Sequence, residues 1–283
     1  MNLEKLQGFR IPDAVQTYTW RDSSLYALGL GYGADPLDEA DLRYVLETDQ
    51  QTVPSMSAIL AYPGFWFADP SLGIDWVRLL NGQVAFTIHR PLPPEGTVKS
   101  TSRVVAVDDK GKDKGAAVFL EKDVTDIEGV PYATIRQAVF LRGDGGHGGF
   151  GVPPETPPAV TGDAPDHALE LDVARNAALI YRLSGDLNPV HSHPAIARQA
   201  GFREPIVHGM CSLGMACRAA LRLLCDNQPE RLKSMSIRFA SPVYPGERLR
   251  FEFFGKGPHF QWRVRVPERN VTVLDRGQLE LTR

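Results

Sequence analysis

Residues 248–282 read "RLRFEFFGKGPHFQWRVRVPERNVTVLDRGQLELT", and this stretch decides the architecture. Three runs alternate apolar and polar side chains with period two, which turns one face to a core and the other to water. Between them stand only "GKGP" (255–258) and "PERN" (267–270). Connections this short have no room for a crossover helix, so the strands must pair antiparallel. A further strand-like run, "SMSIRFA" (234–240), precedes them, and before it comes "GMCSLGMACRAALRLLC" (209–225). That segment is apolar on nearly every side, as a buried helix must be.

The first half of the chain repeats the plan. Helices are expected at 22–32 and 38–47, an apolar segment at 55–66, and strands in "QVAFTIHR", "TVKSTSRVVAV", "GAAVFLEKDV" and "YATIRQAVFLR". The second half has a helix expected at 172–184 and then the elements above. At an offset of 154 positions Arg21 matches Arg175, Leu25 matches Leu179 and Gly31 matches Gly185. Matches in the same order before similar strand patterns favour duplication. Between the halves lies "LRGDGGHGGFGVPPETPPAVTGDAPDHA" (141–168), whose Gly and Pro content marks a connection. The expected class is α+β: two tandem units, each a central helix wrapped by an antiparallel sheet, with shared edges protected where the units join. This is a double hot-dog, divided as 1–150, a linker at 151–168, and 169–283.

The 283 residues are 43% hydrophobic and 23% charged, with a formal net charge of −3 and scattered Lys and Arg. No basic footprint for nucleic acid is present. Cys211, Cys217 and Cys225 are confined to the apolar helix and read as reduced core residues, which favours a cytoplasmic location. The N-terminal stretch has no apolar run of the secretory type, "LTR" is not a peroxisomal address, and 209–225 carries Arg218 and Arg222, so no membrane association is expected.

The chemistry concentrates in "YRLSGDLNPVHSHP" (181–194). Gly185 suits the left-handed position that ends a helix, and Asn188-Pro189 forces a turn. Such a turn aims Asp186 and His191 at one point. One reading is an ordinary polar turn; the other is an acid–base pair sharing a water. A metal set of Asp186, His191, His193 and His208 is a third, but no Cys or further acid completes a familiar ligand group, so no metal is expected. His208-Gly209 opens the apolar helix, whose first backbone N–H groups can hold a developing oxyanion. "GDGGHGGFG" (143–151) lacks the following helix of a phosphate loop and reads as a flexible junction. Arg218 and Arg222 read either as a phosphate contact or as a solvated face. No G-x-S-x-G elbow supports a serine hydrolase.

Residues 181–221, "YRLSGDLNPVHSHPAIARQAGFREPIVHGMCSLGMACRAAL", closely resemble the signature of the MaoC-like (R)-specific enoyl-CoA hydratases, the hydratase 2 family. Tyr181, Ser184 to His191, Ala200-Gly201-Phe202 and His208-Gly209 carry the likeness. "YTWRDSSLYALGLGYGADP" and "DLRYVLETDQQTVPSMSAIL" resemble the first half of the long, two-unit members, whose first unit accommodates the acyl chain. Tyr32 stands where the repeat offset places a partner of Asp186, and the first half has no D-x-N-P-x-H.

The resemblance implies reversible hydration of a trans-2-enoyl-CoA to a (3R)-3-hydroxyacyl-CoA. Asp186 and His191 would act on one water, Asn188 would orient it, and the Gly209 N–H would stabilise the thioester enolate. Glu47, Ser184 and His208 would contact substrate. No cofactor is implied, CoA entering as part of the substrate, and a homodimer is expected. Phe65, Trp66 and Phe67 either shorten the acyl pocket or fill core. Two other readings are a hot-dog thioesterase and a non-catalytic acyl-CoA-binding subunit.

Overall fold

The computed structural model describes residues 1–162 and 164–282. The first half contains helix α1 (Leu3–Gln7), strand β1 (Ala14–Tyr18), helices α2 (Trp20–Gly29) and α3 (Glu39–Leu42), and strands β2 (Leu79–Ile88), β3 (Gly96–Asp109), β4 (Ala116–Thr125) and β5 (Pro131–Leu141). The second contains strand β6 (His167–Asp172), helices α4 (Ala177–Tyr181), α5 (Pro194–Gln199) and α6 (Gly209–Leu224), and strands β7 (Leu232–Phe239), β8 (Arg248–Phe254), β9 (His259–Val266) and β10 (Val271–Leu281).

All ten strands form one sheet in the order β1-β3-β4-β5-β2-β7-β10-β9-β8-β6. The order reads the same from either end once each half is numbered from its own first strand, so the duplication is built into the topology. The halves join where β2 and β7 pair antiparallel, Gln83 opposite Arg238 through Thr87 opposite Ser234. That junction removes one exposed edge from each unit.

The double hot-dog expected from the sequence is present, with the helix fully formed in the second unit. There α6 is buried along almost its whole length, including Cys211, Cys217, Leu213 and Leu221. In the first unit the apolar segment forms only a buried 3₁₀ turn, Pro54–Ala58. Pro54 starts it, Ser55 and Ser57 are weak helix formers, and Ala61 adopts φ +47° before Pro63 and Gly64. The carbonyls that a longer helix would satisfy internally find side chains instead. Lys122 Nζ, fully buried, donates to Ala58 O at 3.0 Å and Leu60 O at 2.8 Å. Ser100 Oγ donates to Ala61 O at 2.6 Å, and the Ala61 N–H donates to Gln16 Oε1 at 2.7 Å.

Several boundaries differ from the sequence reading. The helix expected at 172–184 is α4 alone, followed by a 3₁₀ turn at Arg182–Ser184, because the chain leaves β6 only at Asp172. The helix expected at 38–47 is reduced to α3, and the one expected at 22–32 is α2. The edge strands β1 and β6 went unpredicted. β6 lies largely exposed, with Glu170 and Asp172 held across the strand pair by Arg250 and Arg248. It begins at His167, so the interunit connection ends before that residue. The glycine run 143–151 is packed rather than free. The Gly146 and Gly148 amides donate to the Asp109 carboxylate, and Phe150 bridges to Val107 on β3. A side-chain carbon at Gly149 would lie 2.3 Å from Val107 O, so glycine is required by close approach.

Trp66 stacks on Phe67 at 3.9 Å and on Phe9 at 5.5 Å, placing both in a second core cluster with Leu6, Ile11 and Val118. Of the two sequence readings of this aromatic run, core filling holds for Trp66 and Phe67.

Candidate active site

The site is built on one turn. Gly185 takes φ +119° with open space around it, so glycine is needed there for its conformation. The Asn188 N–H then donates to Asp186 Oδ1 at 3.1 Å, and the Val190 N–H donates to Asn188 Oδ1 at 3.1 Å, capping a 3₁₀ turn at Pro189–His191. These two local bonds fold the chain back and bring His191 beside Asp186.

One ligand atom each from Asp186, His191 and His208 lies within 4.8 Å of the others. His191 Nδ1 is 2.9 Å from Ile206 O, and His208 Nε2 is 3.1 Å from Asp186 O. A carbonyl only accepts, so both of these ring nitrogens carry the hydrogen. In neutral His191 the remaining nitrogen, Nε2, is therefore a lone pair. The two rings stack at 3.8 Å with 29° between planes, and Tyr181 lies 5.0 Å from His208. Tyr26 is 5.7 Å from Tyr181 and donates to Ser55 Oγ at 3.0 Å, which ties the 54–58 turn to the Asp186–His191–His208 cluster.

Burial lowers the His191 pKa, with the Ile206 carbonyl and the Asp186 carboxylate opposing it. His208 is pushed down to about 4, by burial first and by the neighbouring His191 second. Both rings are thus held neutral at pH 7, and His191 is set up as a proton acceptor. The same three side chains have the types of a cation site. One nitrogen of each ring is committed as a donor to a backbone carbonyl, which leaves one lone pair per neutral imidazole.

Gly209 opens the 16-residue α6, with His208 as its N-cap residue. Its N–H has no intrahelical partner to meet, the situation of every first helical residue. A Cβ at Gly209 would come within 2.9 Å of the Phe239 ring, so the close approach of β7 also demands glycine.

The remaining expected residues separate into groups. The Ser184 hydroxyl is buried with no partner among the described residues, two positions from Asp186. His193 is exposed at the start of α5 and stands outside the trio. Glu47 is exposed and makes no ion pair among the described residues. The solvated-face reading holds for Arg222, which is exposed, but not for Arg218. Arg218 is buried and bonded to Asp41 at 2.5 Å, and Arg222 pairs with Asp38 at 2.6 Å. Tyr32, the repeat counterpart of Asp186, is buried under Arg218 at 4.9 Å and against Tyr44 at 4.7 Å. The first unit therefore keeps a packed aromatic where the second has an acid. Phe239 and Tyr26 were not legible as site residues, since each sits within an ordinary apolar pattern.

Similarity to known proteins fixes the family. Residues 16–143 match the MFE-2 hydratase 2 N-terminal domain and residues 157–274 match the MaoC like domain. The peroxisomal enoyl-CoA hydratase 2 of Arabidopsis thaliana is 36% identical over 96% of this chain and 93% of its own. Enoyl-CoA hydratase ChsH3 of Mycobacterium tuberculosis is 32% identical over 97% and 96%. The crystal structure of a MaoC-like dehydratase from Phytophthora capsici superposes with a TM-score of 0.88 at 31% identity, covering 100% of this chain and 99% of that one. The chain belongs to the MaoC-like enoyl-CoA hydratase 2 family.

Proposed function

We propose that the protein catalyses reversible hydration of trans-2-enoyl-CoA to (3R)-3-hydroxyacyl-CoA. The observation that carries this reading is the convergence of Asp186 and His191, whose Nδ1 hydrogen is committed to Ile206 O, with His208, the N-cap residue of α6. A water held between the two gives a proton to Nε2 as its oxygen attacks C3. Charge then develops on the thioester oxygen, where the Gly209 N–H stabilises it. The pair returns a proton to C2 on the same face, so one water is added and the side chains end as they began. Every proton movement is assigned to this chain, and CoA enters as part of the substrate.

Asn188 acts first through the cap that closes the turn, and its amide nitrogen is left to orient the water. Ser184 and His208 form the wall of the site, with His208 carrying Asp186 through its backbone carbonyl. The first unit, lacking an acid–base pair, accommodates the acyl chain, and Glu47 is its substrate-facing acid. A thioesterase would direct water at the thioester carbonyl; two proton-handling groups, Asp186 and His191, suit addition of water across C2 and C3.

No described helix is long and apolar enough to cross a membrane. The three cysteines are buried and free, with their thiols pushed up to about 12 by burial, which supports a reducing, cytoplasmic setting. The exposed Leu179, Leu183 and Leu187 support pairing into a homodimer.

Purified protein should consume enoyl-CoA with loss of the conjugated-thioester absorbance and without release of free thiol. Thiol release without hydroxyacyl-CoA would replace this reading with a thioesterase.

A further inference from the structure

The cluster around Asp186 has a second chemistry open to it, that of a cation site. One ligand atom each from Asp186, His191 and His208 lies within 4.8 Å of the others, and no other three His, Cys, Asp or Glu side chains among the described residues come this close. Each donor is also braced as a metal ligand is. His191 Nδ1 gives its hydrogen to Ile206 O at 2.9 Å, and His208 Nε2 gives its own to Asp186 O at 3.1 Å. Ligating imidazoles almost always donate their other ring N–H to a carbonyl or carboxylate in this way, which fixes the tautomer and makes the ligand more basic. Asp186 Oδ1 accepts from the Asn188 N–H at 3.1 Å, so the carboxylate is oriented too.

The lone pairs left over belong to His191 Nε2, His208 Nδ1 and the Asp186 carboxylate. Of these, His208 Nδ1 points most plainly to a ligand. It is buried with no hydrogen-bond partner among the described residues, in a side chain of a residue only 1% exposed. A buried acceptor left bare is costly, and a ligand that takes its lone pair relieves that cost. Two neutral imidazoles and one carboxylate suit an ion of the zinc class, which is commonly held by three protein ligands with one position open. Bonds of about 2.1 Å set tetrahedral ligand atoms about 3.4 Å apart, so the trio tightens on binding, and Asp186, which is exposed, can close the gap. His193, which the sequence places in the same ligand set, stands outside it.

We infer that Asp186, His191 and His208 bind a divalent transition ion of the zinc class, which silences the enzyme by occupying both members of the acid–base pair. The ion is an inhibitor and not a cofactor. Its bonds consume the lone pairs of Asp186 and His191, so neither group is left to receive a proton from water. The binding stands on the geometry of the three side chains; the loss of activity rests on the hydratase reading.

The test is calorimetric titration of the metal-free protein with Zn²⁺, and with Mg²⁺ as the hard-ion control. Wild type should bind a single Zn²⁺ and, over the same concentrations, no Mg²⁺. Asp186→Asn and His191→Ala, shown to be folded by circular dichroism, should each weaken Zn²⁺ binding at least about tenfold, the loss that even an outer-shell partner causes. His193→Ala should bind as wild type does. Hydration of crotonyl-CoA by wild type should stop as Zn²⁺ fills the site and return when EDTA removes it. Absence of Zn²⁺ binding by wild type, undiminished binding by Asp186→Asn, or equal weakening in His193→Ala overturns the site. Hydration that persists with the site filled overturns the inhibition. Should wild type hydrate no enoyl-CoA at all, the hydratase reading fails, and the titration alone still decides the ion site.

Discussion

The imidazole rings of His191 and His208 lie face to face at 3.8 Å, and each donates its one hydrogen to a backbone carbonyl. Two stacked imidazoles cannot both be cations at modest cost, so His191 adds to burial in holding His208 unprotonated. His208 has an ordinary value of 6.5 and is held down to about 4 in the fold. Between these values the unfolded chain binds a proton that the folded chain refuses. Stability is therefore lost as pH falls through that window. Urea titrations from pH 7 to pH 4 should show the decline, and His208→Phe should flatten it. The hydration rate should hold steady below the usual histidine range before falling as His191 takes up a proton.

Gly209 and Phe239 are a second constrained pair. In Gly209→Ala the new carbon would meet the Phe239 ring at 2.9 Å. Overpacking of this kind costs about 1–3 kcal/mol. Displacing the Gly209 N–H, the proposed oxyanion donor, should also lower kcat by about 10²-fold. Phe239→Leu in the same protein should restore the urea midpoint.

Asp41 and Arg218 join α3 of the first unit to α6 of the second through a buried ion pair. Asp41→Ala leaves the guanidinium buried and uncompensated, and should cost about 3–5 kcal/mol in chemical denaturation. Replacing both, as Asp41→Leu with Arg218→Met, should cost much less, because no charge is then stranded.

Lys122 is pushed down to about 7 from 10.5 by burial, against the pull of two carbonyl acceptors. From pH 7 to 10.5 the unfolded chain holds a proton that the folded chain has given up, so stability rises with pH across that interval. Lys122→Met should remove the rise. It should also destabilise the protein by about 1–3 kcal/mol for each carbonyl left bare.

The strands from β7 to β10 were legible almost to the residue, because alternation and very short turns leave one way to pair. The buried helix α6 was legible for the same local reason, as were the Gly185 end and the Asn188-Pro189 bend. What failed shares a cause. β6 carries only Leu169 and Leu171 toward the core, too weak an alternation to signal an edge strand, so its end was merged into the helix after it. The first unit's central segment is apolar enough for a helix. Pro54, Pro63 and Gly64 bound it locally, and the backbone groups left over are satisfied by Lys122, Ser100 and Gln16, which lie far along the chain. Arg218 looked like a solvated charge because its partner, Asp41, is 177 positions away. Local pattern carries turns and periods; it does not carry the identity of distant partners.

The measurement that tests the account most directly is hydration of a trans-2-enoyl-CoA series by wild type, Asp186→Asn and His191→Ala, with chiral analysis of the product. The wild type should form (3R)-3-hydroxyacyl-CoA, and each variant should lose about 10²–10⁴-fold in kcat with its fold intact. A wild type inert toward every chain length, a (3S) product, or an Asp186→Asn enzyme as active as wild type would contradict it.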